Sequence, residues 1–488
     1  MEPIGTITNF FPFLEEETQE VLKSVMKEAS DYNDFVVRLG NRVTNQDASL
    51  ELARIASIHV YLARDRDLQE KLRNKYKEIP EILVWTYPLL GVSDDALFGD
   101  ELRVIMKKAV ERNLPDWLLI HLYFLIERDL SKTPYAMSEV VRKVESILNR
   151  NQDLACFKFT LYHLRSGLYN LEGEAVRAIL ALQKGLEIAR DVNDIFRIMA
   201  FAGSLCLLLK DHDVERAWEH AEEFNNLSQT LGLLRYQTVA RHYMGHVYLI
   251  RGEYDMVIEC NYAAWELYYS DTGPSQSSCA IMSHYYSLNG AGKEALHWAN
   301  ESFRISEGKG DIVMHQAKAY ALTLLGRLDD AEVHLNTMHQ LSIESASEID
   351  QARYMLMRSI HDISAGNPQD AITSLEQALS IHESLNIQAA INTDLIALTE
   401  AEIQMVEDSS FEDSSGPWMV RLESHARKMG YPGIQMQAAL LRAQFFVKQG
   451  RKDEARNVLQ EALEILDSPT VKTLRGRIKM MLDDLRVA

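Results

Sequence analysis

The sequence predicts an all-α chain, a solenoid of stacked helix hairpins preceded by a less regular helical region. Three observations predict it. Apolar residues recur at helical spacing along most of the chain, and strand-type alternation is sustained nowhere. A glycine, or once a histidine, returns in the turn inside each hairpin, at Gly173, His212, Gly252, Gly290, Gly326, Gly366 and Gly450. Five positions after each stands a compact residue: Ala178, Ala217, Val257, Ala295, Ala331, Ala371 and Ala455. Seven further on stand Gly185, Phe224, Ala264, Ser302, Met338, Ala378 and Ala462.

The unit is plainest from Gln351 to Asn386. Tyr354, Met355, Leu356, Ile360 and Ile363 make the apolar stripe of a first helix, which Gly366-Asn367-Pro368 stops. Ala371, Leu375 and Ala378 then share one face of a second helix that Asn386 closes. Small residues at fixed positions let helices approach closely without a clash. Asn193, Gly232, Gly273, Gly310, Asn386 and Gly430 follow helix-ending segments, where each is expected to take the left-handed conformation that turns the chain back. The spacing is 36 to 40 residues, except for the 84 between Ala371 and Ala455, which hold two units and an insertion from Glu407 to Pro417. At least seven hairpins are expected from about 154 to 467, each touching only its neighbours in sequence.

Before residue 150 the repeat is not clear. Glu15–Ser30, Ser49–Ala63 and Asp67–Lys77 read as helices, and Pro80 and Pro88 bracket a linker-like segment ending at Gly91. Asp100–Arg112, Asp116–Glu127 and Ala136–Asn149 again read as helical. Three regions follow: 1–150 as irregular helices or degenerate repeats, 151–467 as solenoid, and 468–488 as a capping helix with a polar outer face.

The composition narrows the partners. A formal charge of −20 over 488 residues argues against nucleic acid and anionic membrane. The uncharged run from Trp117 to Ile126 is too short to span a bilayer. The N-terminus lacks the basic start and apolar run of a secretory signal. Four dispersed cysteines, Cys156, Cys206, Cys260 and Cys279, fit reduced core thiols in a cytoplasmic protein.

The units at Tyr162–Gly185, Gly245–Ala264 and Ala443–Ala462 resemble the tetratricopeptide repeat (TPR) family. Tyr162, Ser166, Tyr169, Ala178, Leu182 and Gly185 carry the likeness in the first, and Ala443, Phe446, Gly450, Ala455 and Ala462 in the last. The period exceeds the usual one by several residues, which resembles the superhelical sensor region of the MalT-like regulators. The resemblance implies a right-handed superhelix whose first helices line a concave groove for a protein segment, a peptide or a small effector. On that reading the chain is a non-enzymatic interaction scaffold; the alternative is a stand-alone sensor holding an effector inside the superhelix. Projecting the hairpin phase onto the groove selects His163, Asn170, His242, His246, His284, Gln316, Tyr320, Arg353, Leu356 and Ile360. The ligand expected there is an internal segment with an apolar end, anchored near Tyr320 and Leu356.

Three other signals carry simpler readings. Asn289-Gly290-Ala291-Gly292-Lys293-Glu294 resembles part of a phosphate-binding loop, but Glu294 stands where Ser or Thr must reach Mg²⁺, and a helix precedes it. His242, His246 and His284 could face one another, yet neighbouring units would hold His246 and His284 about 10 Å apart. Ser409, Ser410, Ser414 and Ser415 lie among acids in a loop that could be phosphorylated, although a solvated insertion suffices. No cofactor, metal or catalytic residue is therefore assigned, and self-association stays open.

Overall fold

The computed structural model describes residues 5–63, 65–86, 104–105, 107–130, 133–268, 276–345, 347–406, 416–465 and 469–487. These are helical with no strand among them. From residue 158 the helices pair in sequence: Lys158–Leu171 with Ala175–Asp191, Ile195–Leu209 with Val214–Thr230, Leu234–Arg251 with Tyr254–Tyr268, and Gln276–Leu288 with Gly292–Ile305. Ile312–Leu324 with Leu328–Ser345, Glu348–Ser364 with Pro368–Ser384, Gln388–Met405 with Pro417–Met429, and Pro432–Lys448 with Lys452–Ile465 complete the series. The Gln388–Met429 pair is the unit hidden in the long interval, and the serines of its insertion lie outside the described residues. Lys472–Val487 follows as a single helix that buries Leu474, Ile478, Leu482 and Leu485 in the core of the last hairpins.

The repeated small residues are the contact seam. Ala178, Ala217, Val257, Ala295, Ala331, Ala371 and Ala455 are all fully buried. A Cβ on Gly185 would lie 2.4 Å from the Phe201 ring, so the packing there admits no side chain. The turn glycines behave as expected, with φ of 85° at Gly366. One turn differs: Gly308 and Glu307 take the left-handed conformation ahead of Ile312, and Gly310 does not. Gly273 lies outside the described residues.

The N-terminal region corrects two expectations. Tyr32–Asn45, which the sequence reading passed over, is a helix with Phe35, Val36, Leu39 and Val43 buried. Asp31 starts it by accepting from the Asp34 amide at 2.8 Å. Pro80 opens a helix through Thr86 rather than a linker, because proline's fixed φ and missing N–H suit the first helical position. Pro88 and Gly91 lie outside the described residues, as does part of the Asp100–Arg112 stretch.

The chain divides into two compact units, residues 1–209 with 215–240 and residues 210–214 with 241–488. In the first, the helices before residue 150 share one body with the earliest hairpins. The Thr6 hydroxyl donates to buried Asp194 at 2.6 Å, and the Tyr236 hydroxyl donates to the Leu62 carbonyl at 2.9 Å. In the second, the hairpins curve until the beginning meets the end. The Asn392 amide donates to the Ile250 carbonyl at 2.9 Å, and Asp255 accepts from the Thr473 N–H at 2.9 Å and from its hydroxyl at 2.5 Å. Gly252 and Gly433 touch so closely that a Cβ on Gly433 would fall 2.2 Å from the Gly252 oxygen. The expected neighbour-only contacts therefore fail. Each hairpin is rotated a little against the last, and the accumulated rotation brings distant hairpins together. Among the described residues no helix is long and apolar enough to cross a membrane.

Candidate functional site

Closure of the second unit turns the inner faces of its first helices toward one another. His284, Gln316, Arg353 and Leu356 line a cavity of about 220 Å³, together with Leu249, Tyr285 and Thr393. Tyr320 and Ile360 line a smaller one of about 70 Å³, and Leu288 and Thr393 border both. Six of the ten expected groove residues thus face two adjoining interior spaces. Gln316, Leu356 and Ile360 are at most 9% exposed, while His284, Tyr320 and Arg353 are half-buried. His242 goes elsewhere, to a small apolar space beside Asn261, Trp265 and Trp298. His246 lies on the same helix, four residues on. His163 and Asn170 belong to the first unit, where the His163 ring packs 5.4 Å from that of Phe201 and Asn170 is exposed.

The histidines are held neutral by their surroundings. Burial pushes His284 and His246 down to about 4, and nearby Arg353 adds to the effect on His284. His284 Nδ1 has no hydrogen-bond partner among the described residues. No group of three His, Cys, Asp or Glu side chains among them is placed to hold a metal. Lys293 is exposed, and its glycines form the turn between Gln276–Leu288 and Gly292–Ile305.

The smaller cavity contains groups that sequence reasoning missed. Glu400 from Gln388–Met405, Gln437 from Pro432–Lys448, Tyr254 from Tyr254–Tyr268 and Arg477 from the terminal helix all line it. Glu400 lines this cavity and is itself exposed. The protein packed around its carboxyl raises it to about 7 against the opposing pull of Arg477. Tyr320 is pushed well above its ordinary value by burial and by Glu400. Burial also raises Tyr254, which a hydrogen bond from the Gln437 side chain opposes. Gln437 is 8% exposed and its Oε1 has no partner among the described residues. One signal was available: Glu400 interrupts Leu395-Ile396-Ala397-Leu398-Thr399 and Ala401, in a helix apolar on nearly every side.

A second concavity, of about 530 Å³, opens between the second helices Pro417–Met429 and Lys452–Ile465. Gln435, Ala438, Ala439, Arg442 and Phe446 of Pro432–Lys448 form its floor, while Glu423, Arg427, Val458 and Glu461 stand on its sides. The Arg442 guanidinium lies 4.7 Å from the Phe446 ring centre and 3.5 Å from Glu423, so the floor is ordered.

Residues 437–465 match the tetratricopeptide repeat. The matched TPR carries the floor and one wall of this outer groove, and its Gln437 reaches the inner cavity. A search of curated proteins returns no match. Among solved structures, yeast Tom70 is similar at 12% identity with a TM-score of 0.34, covering 96% of this chain and 95% of that one. The TPR domain of P58(IPK) is 11% identical with a TM-score of 0.20, over 75% of this chain and 98% of that one. A structure of Naa15/Naa10 bound to HypK-THB is 11% identical with a TM-score of 0.24, over 93% of this chain and 84% of that one.

Proposed function

We propose that the protein is a non-enzymatic interaction scaffold that holds a segment of another protein. The observation that carries this reading is the series of helix hairpins among the described residues from 158 on, ending in a matched TPR that lines, with Pro417–Met429, a concavity of about 530 Å³. Because Gln316, Leu356 and Ile360 of the inner wall are buried, we assign the partner segment to the more open groove over Pro432–Lys448. Ala438, Ala439 and Phe446 of its floor take an apolar side chain of the segment, while Arg427, Glu423 and Glu461 at its sides offer charges of both signs. Capture of partners from native lysate tests the assignment. Ala439→Glu with Val458→Arg puts charge into partly open groove positions and is expected to abolish capture while leaving helicity and melting temperature near those of the parent. Undiminished capture overturns the groove assignment.

A second reading has its own support. The two inner cavities, lined by Tyr320, Glu400, Gln437 and Arg477 in one and by His284, Gln316 and Arg353 in the other, suit a small effector held within the superhelix. In that case the chain acts as a sensor, and the closure contacts around Gly433 are what the effector stabilises.

A further inference from the structure

The cavity of about 220 Å³ inside the second unit combines apolar walls with polar groups that packing leaves unused. His382 is 2% exposed, and its Nδ1 lies 2.6 Å from Oδ2 of the fully buried Asp394. The other ring nitrogen, Nε2, has no hydrogen-bond partner among the described residues and is not sealed from the cavity that the ring lines. Gln316 is 9% exposed, and the same holds for both polar atoms of its side-chain amide. Buried polar groups normally find partners, and burying an imidazole with a carboxylate is costly, so apolar packing by itself selects neither residue. Arg353 is half-buried and is the only Arg, Lys, Asp or Glu among the described residues lining this cavity. One guanidinium nitrogen donates to Asp350 of the same helix at 3.0 Å, and the others have no partner among the described residues.

The repeat brings these groups together. Gln316 and Arg353 stand in the second turns of Ile312–Leu324 and Glu348–Ser364, which are successive first helices. His382 stands in the last turn of Pro368–Ser384, and its bond to Asp394 ties it to the second turn of the next first helix, Gln388–Met405. The apolar side chains Leu249, Ile281, Tyr285 and Leu288 come instead from two earlier first helices, Leu234–Arg251 and Gln276–Leu288. His284 beside them is kept neutral by burial and by Arg353. The cavity therefore has a polar side with one fixed positive charge and an apolar side.

On the scale in which one water needs about 10–15 Å³, this space has room for roughly fifteen to twenty water-sized groups. We propose that it binds a small carboxylic acid with an apolar chain. The carboxylate pairs with Arg353, accepts from the Gln316 amide and shares a proton with His382 Nε2. Passed from the acid to Nε2, that proton leaves an imidazolium whose charge Asp394 balances. The chain lies along Leu249, Ile281, Tyr285 and Leu288. The proposal rests on the sensor reading, whose effector it names, and is independent of the outer groove.

The test uses the full chain and three probes of one chain length: octanoate, octanol and octylamine. Octanoate is expected to raise the melting temperature by about 3 °C or more at a concentration about ten times its Kd. Octanol and octylamine are expected to bind at least about tenfold more weakly, because neither brings a negative group to Arg353. Arg353→Met keeps a long side chain without its charge and should bring octanoate down to the level of octanol. Ala390→Met, at a half-buried helical position on the cavity wall, fills the space and should abolish octanoate binding in calorimetry while the helical signal is kept. Three results overturn the proposal: octanoate giving no shift, either neutral or cationic probe binding as well as octanoate, and octanoate binding that survives unchanged in either variant. Of these, binding led by octanol or octylamine removes the acid and leaves the sensor reading standing. Octanoate that binds as expected without changing partner capture counts against the sensor reading alone.

Discussion

Replacing Gly433 by alanine distinguishes a closed second unit from an open solenoid by the sign of one stability change. Gly433 lies in the first turn of Pro432–Lys448 and has no left-handed φ. In an open array alanine there would stabilise the helix, by about 0.5–1 kcal/mol. In the closed unit the new methyl would sit 2.2 Å from the Gly252 oxygen, 2.3 Å from its carbonyl carbon and 2.6 Å from the Arg251 oxygen. All three are backbone atoms that cannot rotate aside, so the two turns must separate, and overpacking of this kind costs about 1–3 kcal/mol. The net expectation is a loss of about 1–2 kcal/mol, seen as a fall of about 2–8 °C in the melting transition of the second unit. Gly476→Ala supplies the control. That glycine lies in Lys472–Val487, with no atom within 4 Å of a Cβ placed on it, and the substitution should raise stability by about 0.5–1 kcal/mol. Thermal and urea unfolding followed by circular dichroism measure both variants. A Gly433→Ala protein as stable as the parent, or more stable, refutes the closure.

Other substitutions read the seam, the inner wall and the pH response. Ala371→Leu inserts three carbons at a fully buried seam position and should cost about 1–3 kcal/mol, whereas a neutral result in urea unfolding would show that the hairpins can slide apart. Leu356→Ala, at a site 5% exposed, should cost about 2–5 kcal/mol; a loss below 1 kcal/mol would restore the open groove. His284 and His246 titrate at about 4 in the folded chain, while in the unfolded chain a histidine takes up its proton near its ordinary 6.5. Their contribution is therefore complete above about pH 6.5 and is lost as pH falls toward 4; His284→Gln should flatten that part of the stability profile, and an unchanged slope would argue against burial of the ring. Glu400 behaves oppositely. Its folded value of about 7 lies above the ordinary 4.5, so its stabilisation is complete below about 4.5 and lost as pH rises through 7. Glu400→Gln should consequently be more stable than the parent at pH 8 and equal to it near pH 4, with equal stability at both values arguing against an enclosed carboxyl.

The sequence by itself determined the repeating unit. Ala331, Ala371 and Ala455 could be read as a contact seam because helix crossing admits little else, and local sterics decide that. Gly366 and Gly450 marked turns because their backbone conformation is set within a few residues. The same logic located the hidden hairpin at Gln388–Met429 and the terminal helix. Tyr32–Asn45 was equally legible, since Phe35, Val36, Leu39 and Val43 have helical spacing, but its one glycine, Gly40, lies inside the helix and not in a hairpin turn. What only the tertiary structure decided was curvature. The rotation between successive hairpins is a small angle set by many side-chain contacts, and no single residue announces it. Summed over the second unit it brings Gly433 onto Gly252 and Thr473 onto Asp255. Phase assigns Tyr320 and Leu356 to one helix face, because phase is local. Whether that face met solvent, a partner or the chain itself depended on residues far away in sequence, and so did the meeting of Glu400, Gln437 and Arg477 around one cavity.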